Sequence, residues 1–133
     1  MRLHHIGIVV EDLTSYGESY RTRLGMREES RIFEDPIQKV RIQFWGDGLG
    51  PLVELIEPCG SDSPVDKALQ KGGGLNHLCY EVEDLDKQVQ LSIEQGALPA
   101  TAITPAVAFE GRRVAFLFFP QLNLIEFVEA PST

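Results

Sequence analysis

An α+β fold made from two copies of a βαβββ unit is what this sequence predicts, and three alignments within the chain carry the prediction. Leu3-His4-His5-Ile6-Gly7-Ile8-Val9-Val10-Glu11-Asp12-Leu13 superimposes on Leu75-Asn76-His77-Leu78-Cys79-Tyr80-Glu81-Val82-Glu83-Asp84-Leu85, a shift of 72 residues from His5 to His77. The same shift of 72 carries Leu52-Val53-Glu54-Leu55-Ile56-Glu57 onto Leu124-Ile125-Glu126-Phe127-Val128-Glu129. Between these blocks, Arg41-Ile42-Gln43-Phe44 meets Arg113-Val114-Ala115-Phe116 in the same register. Internal repeats of this kind define the architecture. Strands of similar burial would share apolar positions, but not the histidines and glutamates.

Each copy opens with a strand, Leu3–Val10 or Leu75–Val82, rich in branched residues. Asp12 or Asp84 follows as a helix cap, because a short acidic side chain accepts the free N–H groups of a first turn. The helices then span about Leu13–Leu24 and about Leu85–Gln95, and they stop at Gly25 and Gly96, where a left-handed residue is wanted. Leu85, Val89 and Ile93 give the second helix its expected apolar stripe. Three strands complete each copy: about Arg27–Glu34, Val40–Trp45 and Leu52–Ile56 in the first, and about Ala100–Ile103, Arg112–Phe118 and Leu124–Val128 in the second. Asp35-Pro36, Gly46-Asp47-Gly48 and Pro120-Gln121 supply the turns. Module 1 thus covers about residues 1–58, a linker with a short helix covers 59–74, and module 2 covers about 75–130. Two units of this size are marginal alone, so one domain over residues 1–133 is expected.

The chain's bulk properties narrow the function. Its 133 residues, 43% hydrophobic, suffice for a core and exclude a disordered or low-complexity chain. A net charge of −8 argues against a nucleic-acid footprint, which needs clustered Lys and Arg. No apolar run approaches the roughly 20 residues of a membrane helix. The first residues enter a strand pattern at once, without the features of a signal peptide. Two cysteines, Cys59 and Cys79, are too few for a disulfide framework and read as reduced thiols of a cytoplasmic protein.

The repeated polar residues point to chemistry. Strand side chains alternate faces, so His5 shares a face with Leu3, Gly7 and Val9, and Glu54 with Leu52 and Ile56. The second copy places His77 and Glu126 likewise. A carboxylate flanked by apolar residues must be paired or bind a cation, because an isolated buried charge is very costly. One strand histidine taken alone is more often a packed core residue than a ligand. Two imidazoles and two carboxylates at repeated positions form a set suited to one divalent metal, Zn, Ni, Co, Mn or Fe. Such a metal leaves positions for substrate and makes a proton beside a polarised carbonyl removable, with Glu126 or Glu54 as acid–base group. Glu57 and Glu129 fall on the opposite face and read as solvated. Arg41 and Gln43 are candidate contacts to a substrate anion or amide. Trp45, Phe109, Phe116, Phe118 and Phe119 offer aromatic surface, more often core than ligand platform.

At these residues the sequence resembles the vicinal oxygen chelate superfamily of glyoxalases, bleomycin-resistance proteins and dioxygenases. The segments His5–Val10, Val53–Pro58 and Gly73–Val82, with the linker from Ser63-Pro64-Val65 to Gly72, are most similar to its methylmalonyl-CoA epimerase branch. The resemblance implies paired βαβββ modules forming a cupped, incomplete β-barrel of glyoxalase-like type around a metal. It implies His5, Glu54, His77 and Glu126 as ligands, a homodimer, and an acyl-CoA thioester as substrate. The order His, Glu, His, Glu also resembles glyoxalase I, so a lactoylglutathione lyase is the enzyme alternative. A non-catalytic small-molecule binding or resistance protein and an extradiol dioxygenase are the others. Two features depart from the epimerase pattern. The strand Val40–Phe44 lacks the family's additional glutamate, and Phe118-Phe119-Pro120-Gln121 stands where a His-Pro pair is usual.

Overall fold

A computed structural model describes residues 1–132. The fold is mixed α+β, with ten strands and three α-helices among the described residues. The chain divides into two compact units: His5–Asn76, and Met1–His4 together with the residues from His77 onward.

The first unit takes its strands in the order β2 (Arg27–Glu28), β4 (Val40–Gly46), β5 (Leu52–Pro58) and β1 (Arg2–Val9), with β3 (Phe33–Asp35) also on β4. β1 and β5 run parallel, β4 and β5 antiparallel. The return from β1 to a parallel neighbour needs a crossover, and α1 (Leu13–Leu24) supplies part of it. Asp12 caps α1 as expected, its Oδ1 accepting the Ser15 N–H at 2.7 Å. Gly25 ends it at φ 67°, donating to the Arg21 carbonyl at 3.1 Å. α2 (Asp66–Gln70) forms the short helix of the linker.

The second unit repeats the plan: β6 (Gly74–Val82), β10 (Asn123–Glu129), β9 (Arg113–Phe119) and β7 (Leu98–Pro99), with β8 (Thr104–Pro105) also on β9. β6 and β10 are parallel, β9 and β10 antiparallel. α3 (Leu85–Glu94) is capped by Asp84, whose Oδ1 accepts the Lys87 N–H at 3.0 Å. A 3₁₀ turn, Val107–Phe109, was not foreseen. Neither unit's sheet closes into a barrel.

The cores repeat as the strands do. Val10, Leu13, Trp45 and Leu55 form one cluster, and Val82, Leu85, Leu117 and Phe127 belong to the other, every pair 72 residues apart. Where the two copies differ, they compensate. Trp45 sits against Gly17 of α1, and a Cβ there would lie 2.5 Å from its Cζ2. The second copy has Leu117 for Trp45 and Val89 for Gly17, small for large and large for small.

Three expectations need correction. The first strand after each helix does not run through. Arg27–Glu34 breaks into β2 and β3, and the expected Ala100–Ile103 falls in the gap between β7 and β8. In both copies a hydroxyl replaces a ladder partner: Ser30 Oγ accepts the Phe44 N–H at 3.0 Å, and Thr101 Oγ1 that of Phe116 at 3.2 Å. A side chain that captures a strand's N–H interrupts the regular ladder. In α3, Ile93 is exposed, and Ser92 is the buried residue one turn after Val89. Its hydroxyl donates to the Gln88 carbonyl at 2.7 Å, so the polar atom is satisfied within the helix.

Candidate metal centre

Each unit carries one buried His–Glu pair in the same structural register. In the first, the parallel ladder sets Gly7 opposite Glu54, two residues beyond His5 on β1. His5 Nε2 lies 3.4 Å from Glu54 Oε1. His5 is wholly inaccessible and Glu54 is 7% exposed. The antiparallel ladder puts Phe44 directly opposite Glu54, and its ring meets His5 edge-on with centroids 5.3 Å apart.

The second unit reproduces this arrangement. Cys79 stands opposite Glu126 on the parallel side and Phe116 on the antiparallel side. His77 Nε2 is 3.1 Å from Glu126 Oε1, and both residues are buried. Phe116 meets His77 edge-on, centroids 5.1 Å apart. A carboxylate in so dry a place is sustained by a cationic or hydrogen-bonding partner, and imidazole Nε2 with carboxylate oxygen is also a metal-donor combination. The donor types, two imidazoles and two carboxylates, therefore fit a divalent ion. The two phenylalanines that pack the imidazoles were not singled out as site residues. Their signal was present, because Phe44 and Phe116 belong to the same repeat.

Arg41 and Gln43 alternate with Ile42 and Phe44, so they lie on the face of β4 that carries Trp45 and not on the face of Glu54. Arg41 Nη1 is 3.4 Å from Glu57 Oε1, and Glu57 also accepts the Leu13 N–H at 3.2 Å, tying β5 to the start of α1. Gln43 donates to the Ser30 carbonyl at 3.1 Å and lines a pocket of about 210 Å³ with Trp45, Leu13 and Arg21. Glu129, the repeat of Glu57, accepts the Arg113 N–H at 2.7 Å and binds its guanidinium. Glu57 and Glu129 are thus structural braces, not solvated acids, because each takes up a backbone N–H outside the regular ladder. The hydrogen bonds from Arg113 hold the Glu129 carboxyl below its usual range.

Cys59 and Cys79 form no disulfide with each other. Cys59 donates to Glu34 Oε1 at 3.1 Å, and that carboxylate pushes the thiol pKa upward. Such a thiol is a poor nucleophile. Of the aromatic residues, Trp45 and Phe109 are buried, Phe119 packs edge-on against Phe127, and Phe118 is exposed. No helix among the described residues is long and apolar enough to cross a membrane.

Comparison with known proteins decides the family. Residues 4–116 match the Glyoxalase/Bleomycin resistance protein/Dioxygenase superfamily. The chain belongs to this superfamily. An ethylmalonyl-CoA/methylmalonyl-CoA epimerase of Cereibacter sphaeroides is 34% identical over 124 residues, spanning 92% of this chain and 91% of that protein. The crystal structure of methylmalonyl-CoA epimerase from Mycobacterium tuberculosis superimposes with a TM-score of 0.84 at 30% identity, covering 98% of this chain and 89% of that one. A variant of the Streptomyces coelicolor methylmalonyl-CoA epimerase, solved in complex with 2-nitronate-propionyl-CoA, gives a TM-score of 0.82 at 27% identity over 99% of either chain.

Proposed function

We propose that this chain is a metal-dependent epimerase that removes and returns the proton beside the carbonyl of an acyl-CoA thioester, methylmalonyl-CoA foremost. The observation that carries the reading is the recurrence of one buried His–Glu pair, His5–Glu54 and His77–Glu126, at the same register in both modules. The epimerase relatives, which span nearly the whole chain, support it.

In this reading the two pairs share one divalent ion, Zn, Ni, Co, Mn or Fe, and the modules act as a single domain. Two imidazoles and two carboxylates satisfy such an ion and leave coordination positions for a ligand. When bound, the ion supplies Lewis-acid polarisation of the substrate carbonyl. Glu126 or Glu54 takes the proton from the adjacent carbon, and its return to the opposite face inverts that centre. Phe44 and Phe116 keep the imidazoles in place and water away from the carboxylates.

His77→Ala tests the reading through two readouts, metal content and solvent deuterium exchange into methylmalonyl-CoA. Metal content is expected to collapse and exchange to fall at least about 100-fold, the usual scale for losing a proton-transfer apparatus. Full metal occupancy with unchanged exchange removes the reading.

A further inference from the structure

Beside the His–Glu pairs, the two modules present the same row of side chains with different chemistry. In the first unit, Arg27 lies opposite Gly46 across β2 and β4, and Leu52 lies opposite His5 across β5 and β1. In the second unit the row reads Leu98 opposite Phe118, and Phe118 opposite Leu124. Arg27 is solvated and held by Glu29 at 3.1 Å, an ordinary surface arrangement. Leu98 and Phe118 are 68% and 52% exposed, which is not ordinary for a packed leucine–phenylalanine pair on a sheet.

Directly opposed residues share a face. Phe116 pairs with Glu126 and Phe118 with Leu124, so the apolar row belongs to the face that carries Glu126. The other face, with Leu117, Ile125 and Phe127, forms the core with Leu85 of α3. Strands stand about 4.8 Å apart, so the row begins beside Glu126 and runs roughly 10 Å outward, to Leu98 on β7. A methyl branch on a carbon next to Glu126 is too short to reach it, and a charged group would lose hydration against it without gaining a partner.

We propose that Phe118 and Leu98 seat the hydrocarbon part of a longer acyl chain, so that this chain accepts, besides methylmalonyl-CoA, thioesters whose acyl group reaches several methylenes further. The inference rests on the thioester reading for its ligand class and names the residues that set acyl length.

The test measures binding, not turnover, by titration calorimetry of the metal-loaded protein with propionyl-, butyryl- and hexanoyl-CoA. Affinity is expected to rise about two- to fourfold per added methylene, since each buried methylene contributes on that scale. In the exposed-site double variant Leu98→Ser/Phe118→Ser the rise disappears while propionyl-CoA binding stays within twofold. Affinity that is flat with chain length in the unaltered protein, a rise that survives in the double variant, or no binding of any member overturns the inference. So does a double variant that passes from dimer to monomer in light scattering with its chain-length dependence intact, since the strip would then be an interface between copies. Failure of the epimerase reading shows separately, as absent deuterium exchange in a protein that still discriminates by chain length.

Discussion

Phe44 stands directly opposite Glu54 on the neighbouring strand, and the ring that fills this position turns its edge to His5. One aromatic side chain thereby fixes the acid and the base of a pair at once. Phe44→Ala is expected to cost about 3–5 kcal/mol, the usual range for truncating a buried phenylalanine, because the cavity opens beside a buried carboxylate. Urea denaturation measures the loss. Phe44→Leu keeps most of the volume and is expected to recover most of the stability but not the edge contact to the imidazole. Equal stability of the alanine variant and the parent protein would show that the ring is not holding the pair.

Removing or adding the metal has a calculable effect. An ion that binds the folded chain alone stabilises it by about 2.7 kcal/mol at a free concentration a hundred times its Kd. Thermal unfolding of chelator-treated protein is expected to shift upward on adding one of Zn, Ni, Co, Mn or Fe, by several degrees. The shift should vanish equally in His5→Ala and His77→Ala, because the two modules contribute equivalent pairs. A shift lost in one variant and kept in the other contradicts a shared ion.

Gly17 sets two known effects against each other. Glycine inside a helix costs about 1 kcal/mol relative to alanine, so Gly17→Ala on α1 would stabilise an exposed position. Here the new Cβ would fall 2.5 Å from Trp45 Cζ2, and the indole is buried against the strands behind it. Overpacking of that kind costs about 1–3 kcal/mol. Net destabilisation is therefore expected in Gly17→Ala. The double variant Gly17→Val/Trp45→Leu, which copies the second module's Val89 and Leu117, should recover the loss. Denaturation midpoints of the three proteins check both statements.

The modules, the helix caps and the four buried polar residues were legible because the repeat compares the chain with itself. His5 and His77, or Glu54 and Glu126, mark their own importance by recurring in register. What was not legible depends on partners distant in sequence. Ser30 and Thr101 break the strands by accepting the N–H groups of Phe44 and Phe116, and no local pattern names those donors. Glu57 was placed on the correct face, but its partner, the N–H of Leu13, is 44 residues away. The face that Arg41 and Gln43 take was not legible either, because it follows from the register of β4 on β5. Once Phe44 is seen opposite Glu54, simple alternation sends both to the helix side.

Glu129 gives a pH prediction with a definite sign. Hydrogen bonds from the Arg113 side chain and backbone hold its carboxyl below the unperturbed value of 4.5. A depressed folded-state pKa means that the stabilisation is fully present above about pH 4.5 and is lost as pH falls through the folded value. Asp86, on the same guanidinium, is lowered for the same first reason, and its contribution is lost in the same direction from its own lower ordinary value of 3.8. Glu129→Gln keeps the shape but cannot ionise. Its stability is expected to be lower than the parent's at pH 7 and to converge on it as the pH falls below 4.5 and through the depressed folded-state value. Chemical denaturation at a series of pH values measures the gap, and a gap that does not narrow on acidification would mean that the Arg113–Glu129 ion pair contributes nothing beyond its neutral hydrogen bonds.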